Sequence, residues 1–193
     1  MDLCNERDIR ALLARHGFRF SKSMGQNFLI ESWVPRDIAA ASGADQDTGV
    51  LEIGPGIGPL TVQLARRAGR VVAVELDRTL LPVLNETLGS FDNVEVVPGD
   101  ILKLDLPDLL DDKLKGLTPV VCANLPYNIT TPVLTALLEC GRFRSITVMI
   151  QREVARRICA APGTADYGAF SLFCQYHARV ELLFDVPPEC FLP

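Results

Sequence analysis

Short apolar runs rich in β-branched residues alternate along this chain with stretches whose apolar residues recur at helical spacing. Each run is too short for a helix and is bounded by Gly, Pro or polar residues, which predicts a buried strand. Six strands are predicted in this way: 50–53, 71–74, 94–97, 119–123, 145–150 and 180–186. Strands that alternate with helices imply an α/β fold with a mostly parallel, doubly wound sheet and right-handed crossovers.

The helical stretches begin and end at residues that commonly cap helices. Asn5 can cap the first helix, which stops at Gly17, and Pro59 fits as the first residue of another. Helices are predicted at about residues 5–17, 32–42, 59–69, 79–88, 130–140, 153–159 and 170–176. No helix is predicted in the acidic stretch from Asp100 to Gly116.

Length and composition suit one domain without a membrane-spanning signal. The chain has 193 residues, of which 48% are hydrophobic and 22% charged, as is ordinary for a globular domain. No apolar stretch approaches the roughly 20 residues of a membrane span, and the N-terminus has no signal-peptide pattern. Six scattered cysteines and only two histidines suit a reducing cytosol and predict neither disulfides nor a metal site. We therefore expect a cytoplasmic protein.

The net charge of −5 is unevenly distributed. Residues 86–115 hold eight acids and three lysines, which accounts for the whole deficit. Residues 9–30 hold four cations and no acid, and residues 142–157 hold five arginines and one glutamate. Either basic region could meet phosphates, although arginines on solvated helix faces are an equal alternative.

The fourth predicted strand ends in residues that could hold a nucleobase. Asn124 follows the apolar run at 119–123, and Pro126 and Tyr127 come soon after it. Ligand sites of open α/β sheets lie outside the carboxyl ends of the strands. There an amide can accept hydrogen bonds from an amino group and a tyrosine can stack on a flat ring, while the proline fixes the backbone between them. An ordinary tight turn is the alternative.

A glycine-rich turn follows the first predicted strand, with glycines at 54, 56 and 58. This spacing differs from the Gly-x-Gly-x-x-Gly of dinucleotide sites, which presents a helix N-terminus to a pyrophosphate. Glu52, just before the turn, would be poorly placed for a phosphate but well placed near an ammonium group. The turn therefore favours a cationic ligand such as S-adenosylmethionine, with a purely structural turn as the alternative.

Two more acids follow the second and third predicted strands. Glu75 stands 21 residues after Gly54, where a carboxylate can accept hydrogen bonds from both ribose hydroxyls, and Asp77 is the competing candidate. Asp100 could accept a hydrogen bond from the adenine amino group while Ile101 covers the ring face. Each acid alone is more often a solvated loop residue, but acids at three successive strand ends are hard to attribute to chance.

These motifs, in this order and spacing, resemble those of the ribosomal RNA adenine N6,N6-dimethyltransferases, and the bacterial small-subunit enzymes are the most similar group. The matching segments are 26–29, 52–58, Glu75, 99–101, 124–129, 151–155, 166–169, 186–188 and 191–193. The resemblance covers essentially the whole chain from Phe18. It implies a Rossmann-like S-adenosylmethionine-dependent methyltransferase fold.

The resemblance also implies roles for individual residues. The methyl donor is expected against Gln26, Asn27, Leu29, Gly54, Gly56, Glu75, Leu76, Asp100, Ile101 and Asn124. The target base is expected at Asn124, Leu125, Pro126, Tyr127 and Phe191. Hydrogen bonds from the adenine amine to the Asn124 side chain and the Leu125 carbonyl would favour a pyramidal nitrogen as it attacks. Tyr127 and Phe191 would then be stacking platforms for a flipped base.

The implied substrate is a pair of adjacent adenines in the 3′-terminal hairpin of small-subunit (16S) ribosomal RNA, methylated by a monomer during subunit maturation. Residues 1–48 are expected to form a helical segment that acts as a cofactor lid, and residues 49–193 the α/β core. Family members continue past the Phe-Leu-Pro segment at 191–193 into a seventh, antiparallel strand and a small helical domain. We expect that domain to be absent from this chain.

Four other functions are compatible with parts of the pattern. Enzymes that methylate large-subunit RNA share the core motifs but usually depart in the late segments. A non-catalytic RNA-binding assembly factor could retain the whole fold. A small-molecule methyltransferase is disfavoured by the two basic regions and the late motifs, and a dehydrogenase by the glycine spacing.

Overall fold

Five parallel strands form the central sheet in a computed structural model, which describes residues 1–18 and 28–192. They are β1 (Thr48–Ile53), β2 (Arg70–Glu75), β3 (Val94–Pro98), β4 (Thr118–Asn124) and β5 (Ile146–Met149). The order across the sheet is β3-β2-β1-β4-β5. Leu51 of β1 lies in register between Val72 of β2 and Val121 of β4. The strand order reverses between β1 and β4, and open α/β sheets place ligands at such a point.

Eight α-helices of the described residues connect and cover these strands. They are α1 (Glu6–Arg15), α2 (Trp33–Ala41), α3 (Pro59–Ala65), α4 (Leu81–Leu88), α5 (Leu106–Lys113), α6 (Thr130–Cys140), α7 (Arg152–Cys159) and α8 (Ala169–His177). Asn5 caps α1, because its side chain accepts hydrogen bonds from the amides of Arg7 and Asp8. α3 begins at Pro59 as predicted. The predicted helices are confirmed to within a few residues at their ends.

α5 lies inside the acidic stretch, where no helix is predicted. Asp105 caps it by accepting a hydrogen bond from the Asp108 amide at 2.9 Å. Leu106 and Leu110, one turn apart, are buried in the cluster beneath the sheet, and so is Leu114 just after the helix. Leucines at helical spacing that follow a capping aspartate are the sequence signal for this helix. The signal is easily overlooked because this stretch is rich in acidic residues.

The strand predicted at 180–186 is wrong. Among the described residues β5 pairs only with β4, so its other edge carries no strand. A groove of about 1360 Å³ is lined by β5 and by residues 180–186. A strand needs hydrogen bonds to a neighbouring backbone, and an apolar pattern does not provide that neighbour. The side chains of Leu182, Leu183 and Phe184 are accordingly exposed.

Side chains that alternate along the central strands pack on opposite faces of the sheet. Leu51 and Val121 lie in one cluster with residues of α5 and α6. Their neighbours Val50 and Val120 lie in another cluster with residues of α2 and α3. Both faces are therefore covered, which explains why the strands are continuous apolar runs. The predicted doubly wound sheet is confirmed.

The N-terminal residues are attached to the carboxyl-end side of the sheet. Ile9 and Leu12 of α1 share a third cluster with Leu84 of α4 and with Ile57 from the glycine turn. No helix in the described part of the chain has the length and apolar character needed to cross a bilayer. Phe28 shares the third cluster with α1 and with Ile57 of the glycine turn.

Candidate active site

The carboxyl ends of β1, β2, β3 and β4 meet in one cleft. Each strand end contributes at least one polar side chain to its lining, among them Glu52 from β1, Glu75 from β2, Asp100 after β3 and Asn124 from β4. The other predicted residues that line the cleft are Leu29, Gly54, Gly56, Leu76, Ile101, Leu125, Pro126 and Tyr127. Right-handed crossovers between parallel strands bring these sequence-distant residues to one edge of the sheet.

The glycine turn brings the backbone to the cleft wall. Gly54, Gly56 and Gly58 have φ angles of +66°, +61° and +94°, where side chains other than glycine are strained. A Cβ on Gly54 would lie 3.5 Å from the Pro126 ring, and one on Gly56 would lie 3.7 Å from the Phe28 ring. The turn therefore packs the loop after β1 closely against the loop after β4 and against the N-terminal segment.

Glu75 ends β2 with its carboxyl group almost entirely buried. Its Oε1 accepts a hydrogen bond from the Asp77 amide at 2.8 Å. Burial raises the pKa of this carboxyl to about 7, although hydrogen bonds from the backbone at Asp77 and Gly56 act in the opposite direction. The rival candidate Asp77 also lines the cleft, but its Oδ1 already accepts hydrogen bonds from the Thr79 amide and hydroxyl. Both candidates therefore lie at the cleft with one oxygen already accepting a hydrogen bond, and the choice of Glu75 as the ligand-binding acid stays a prediction.

Asp100 and Ile101 form the cleft wall after β3. Asp100 Oδ1 accepts a hydrogen bond from the Leu102 amide at 3.1 Å, and its Oδ2 lies 3.7 Å from Lys103 Nζ. Ile101 is buried in the cluster beneath the sheet while it also lines the cleft. A carboxylate and an aliphatic side chain therefore stand side by side, as a purine with an exocyclic amine requires.

The turn after β4 holds two unused hydrogen-bond acceptors at the cleft. The Leu125 amide donates to the Met149 carbonyl at 3.0 Å, and the Pro126 carbonyl accepts from the Ile129 amide at 3.2 Å. These bonds fix the turn, yet within residues 1–18 and 28–192 nothing pairs with the Asn124 side chain or with the Leu125 carbonyl. Tyr127 lines both the cleft and the adjoining groove, and partial burial raises the pKa of its hydroxyl.

Three predicted site residues do not lie in the described part of the cleft. Phe191 lines the groove instead, and it forms an isolated antiparallel bridge with Leu29. Its role as a second stacking platform stays a prediction. Gln26 and Asn27 fall outside the described residues.

Several residues that line the cleft are missing from the predicted site, among them the buried Phe28 and Glu52. Phe28 is buried there against the glycine turn, and its position in the Gln-Asn-Phe-Leu segment is the signal that could have indicated it. Glu52 is predicted to lie near an ammonium group but is not included among the site residues. It is only 1% exposed, and burial raises its pKa to about 8.

The two basic regions are partly neutralised by acids. Arg10 pairs with Glu6, and Arg142 pairs with Asp111 at 2.6 Å. Arg156 and Arg157 are exposed on α7 and take part in none of the ion pairs found within the described ranges. The second region therefore retains positive charge that could meet a phosphate.

The chemistry of the cleft fits a cationic nucleoside and not a dinucleotide. Four acids line it, namely Glu52, Glu75, Asp77 and Asp100, and none of its described lining residues is a lysine or arginine. A pyrophosphate would meet no positively charged side chain among these described residues, whereas a sulfonium or an ammonium would be stabilised by the acids. Ribose hydroxyls and an adenine amine would find acceptors in Glu75 and Asp100. The described residues contain no cluster of three or more His, Cys, Asp or Glu that could hold a metal ion.

A five-stranded parallel sheet in this order is a Rossmann-like fold, and the acid-lined cleft and the solved RNA methyltransferases that share the fold place it in the S-adenosylmethionine-dependent methyltransferase class. The chain belongs to the ribosomal RNA adenine dimethylase family, whose family model matches residues 17–193. The resemblance predicted from the motifs is confirmed.

Individual relatives agree with this assignment. The chain is 50% identical over 194 residues to the ribosomal RNA small subunit methyltransferase A of Shouchella clausii, an alignment that covers 100% of this chain and 66% of that relative. The crystal structure of the 23S rRNA methyltransferase ErmE superimposes with a TM-score of 0.63 and 33% identity, covering 77% of this chain and 55% of that one.

A dimethyladenosine transferase from Plasmodium falciparum also has a TM-score of 0.63, with 28% identity, and the match covers 74% of this chain and 50% of that one. The chain spans about two thirds of the length of the curated relatives it matches.

Proposed function

We propose that this protein transfers methyl groups from S-adenosylmethionine to N6 of two adjacent adenines in the 3′-terminal hairpin of small-subunit (16S) ribosomal RNA. The observation that carries the proposal is the turn at 124–127, where unpaired acceptors and an aromatic ring lie beside the acid-lined cleft. The name of the Shouchella clausii relative supports the small-subunit target.

We assign the methyl donor to the cleft residues that match its chemistry. The Glu75 carboxyl would accept hydrogen bonds from the ribose hydroxyls, and Asp100 would accept one from the adenine amine. Ile101 and Leu76 would cover the ring faces, and Leu29, Gly54 and Gly56 would close the cleft around the ligand, with Gln26 and Asn27 expected beside them. When bound, S-adenosylmethionine supplies an electrophilic methyl group on its sulfonium.

We assign the target adenine to the turn after β4. Its amino group would donate hydrogen bonds to the Asn124 side-chain oxygen and the Leu125 carbonyl, which are the acceptors left unused by the protein. If these two oxygens lie outside the plane of the adenine ring, the hydrogen bonds pull the amino group out of that plane. The nitrogen lone pair is then less delocalised into the ring and more available to attack the methyl group. Tyr127 would stack on the flipped base, Pro126 would keep the turn rigid, and Phe191 would form a second platform from the groove. Positioning of this kind supplies much of the rate of a group transfer.

The remaining parts of the proposal concern the protein as a whole. Residues 1–48 would act as a segment that closes the cofactor site, because α1 packs against the glycine turn and Leu29 lines the cleft. Residues 49–193 would be the catalytic core. The exposed arginines of α7 would meet RNA phosphates. We expect a monomer that works in the bacterial cytoplasm.

Methyl transfer to isolated ribosomal subunits tests the proposal. The wild-type chain is incubated with labelled S-adenosylmethionine and either undermethylated small subunits or large subunits, and label is expected in adenines of the small subunit. Asn124→Ala should lower the rate at least about 100-fold, because it removes a hydrogen-bond acceptor from the attacking amine. Asn85→Ala, on the exposed face of α4 and away from the cleft, is the matched control and should keep full activity.

Two alternatives predict different outcomes of the same assay. Label in the large subunit alone would assign the chain to the activity named for ErmE, which has the same fold and 33% identity. If Asn124→Ala leaves subunit maturation unchanged and no label is transferred, the protein is a non-catalytic assembly factor.

A further inference from the structure

Glu52 is a carboxyl group buried without a charged partner. It is the fifth residue of β1, its side chain is 1% exposed, and it contributes to the wall of the cleft. A buried carboxylate is normally paired with a cation or held by several hydrogen bonds, because removing its charge from water is costly. Glu52 Oε2 has no hydrogen-bond partner among the described residues.

Among the residues that the structure describes, the groups that face Glu52 from the neighbouring elements carry no positive charge. They are Thr61 of α3, Cys122 of β4 and Glu75 of β2. The Thr61 hydroxyl lies near enough to favour the charged form slightly, but Thr61 Oγ1 has no hydrogen bond of ordinary geometry within the described ranges. The Cys122 thiol is itself buried, and its pKa is raised by burial and by its proximity to Glu52.

These surroundings favour the protonated form of Glu52 in the ligand-free protein. Burial is the main cause of its raised pKa of about 8, and repulsion from Glu75 adds to it. A cation placed in the cleft would reverse this preference, because attraction to an opposite charge lowers the pKa of a carboxyl, most of all where the surroundings exclude water.

We propose that Glu52 carries a proton while the cleft is empty and releases it when S-adenosylmethionine binds, so that its carboxylate faces a positive group of the ligand. The proton passes from the Glu52 carboxyl to the solvent, and no bond to carbon changes. This inference rests on the methyl-donor part of the proposed function and not on the RNA target. It makes Glu52 a residue that selects cationic ligands over neutral nucleosides of the same shape.

Calorimetry measures the released proton directly. S-adenosylmethionine is titrated into the ligand-free protein at pH 7 in buffers of different ionisation enthalpy, and the dependence of the heat on the buffer gives the number of protons released. Wild type should release close to one proton more than Glu52→Gln, because most Glu52 carboxyls hold a proton at that pH. From pH 6 to pH 7 the affinity of wild type should also improve roughly tenfold relative to Glu52→Gln, and less steeply from pH 7 to pH 8, where part of the carboxyl is already ionised.

A neutral ligand separates Glu52 from Glu75, which also titrates near pH 7. 5′-Methylthioadenosine offers the same ribose and adenine but neither the ammonium nor the sulfonium, so any proton it releases reports on Glu75 and not on Glu52. An equal release for the two ligands, or an equal release by wild type and Glu52→Gln, would overturn the inference. Failure of S-adenosylmethionine to bind at all would overturn both this inference and the methyl-donor assignment.

Infrared difference spectra of Glu75→Gln protein, which lacks the second cleft carboxyl with a raised pKa, provide a second measurement if Glu52→Gln fails to fold. A protonated carboxyl band should disappear when S-adenosylmethionine binds and should persist with 5′-methylthioadenosine. A band that persists with both ligands would show that Glu52 keeps its proton, and the inference would be wrong.

Discussion

Replacing Glu75 with glutamine should stabilise the ligand-free protein at pH 8 relative to wild type, and have much less effect at pH 5. Glutamine keeps the shape of the protonated acid, and its side-chain oxygen can still accept the hydrogen bond that the Asp77 amide donates at 2.8 Å. The substitution therefore removes a titration without removing a contact. Its effect should depend on pH through that titration alone.

The sign and size follow from the raised pKa of this carboxyl. Its pKa is about 7 in the fold against 4.5 as the ordinary value, so between these pH values the native protein binds more protons than the unfolded chain. Protonation of Glu75 therefore favours the native state. This contribution to the free energy of unfolding is fully present below about pH 4.5 and is lost as the pH rises through about 7. Because a tenfold change in an equilibrium is about 1.4 kcal/mol, the loss between pH 5 and pH 8 is about 2–3 kcal/mol.

Urea unfolding of both proteins at pH 5, 6, 7 and 8 measures this difference. The free energy of unfolding of Glu75→Gln minus that of wild type should rise by about 2–3 kcal/mol across the series. Glu95→Gln is the control, since Lys113 and Arg70 lower the pKa of Glu95 and keep it ionised across this range. The substitution loses those ion pairs and should lower the stability by an amount that hardly changes between pH 5 and pH 8. A flat difference for Glu75→Gln, or one that falls with pH, would refute the argument.

Two further substitutions test the local structure. Gly58→Ala should lower the free energy of unfolding by at least about 1 kcal/mol more than Gly116→Ala does. Both glycines have positive φ angles, but only at Gly58 would the new Cβ lie 3.0 Å from Leu88 Cδ2. Equal losses of stability in urea unfolding would contradict this. Asp105→Ala should cost about 1 kcal/mol through loss of the cap on α5, while Asp105→Asn keeps the cap and should be nearly neutral. Equal unfolding midpoints for these two variants would mean that the cap contributes nothing.

The sheet is predicted well because its signal is local. Parallel strands covered on both faces must be apolar throughout, and a run such as 119–123 shows this directly in the sequence. The acids at Glu75 and Asp100 are also recognised from local order, since each directly follows or ends such a run. α5 shows the limit of this reasoning, because a leucine pattern is easily overlooked where acids dominate the composition.

Other features depend on contacts between distant residues. Residues 180–186 have the composition of a strand but no backbone hydrogen-bonding neighbour in the described part of the chain, and the sequence does not reveal that absence. Phe28 reaches the cleft only because the N-terminal segment packs on the glycine turn, more than twenty residues later in the chain.

The fold class, the family and the polar residues at each strand end can be predicted from the chain alone, because apolar runs, turns and motif spacings are properties of neighbouring residues. Which of those polar residues are buried, already paired or available to a ligand becomes visible only in the folded molecule. Glu52 and Asp77 are both acids beside the cleft, yet one is buried with an unpaired oxygen and the other caps a turn of helix. That difference arises from the elements packed around each carboxyl, because burial and hydrogen bonding depend on neighbours in space.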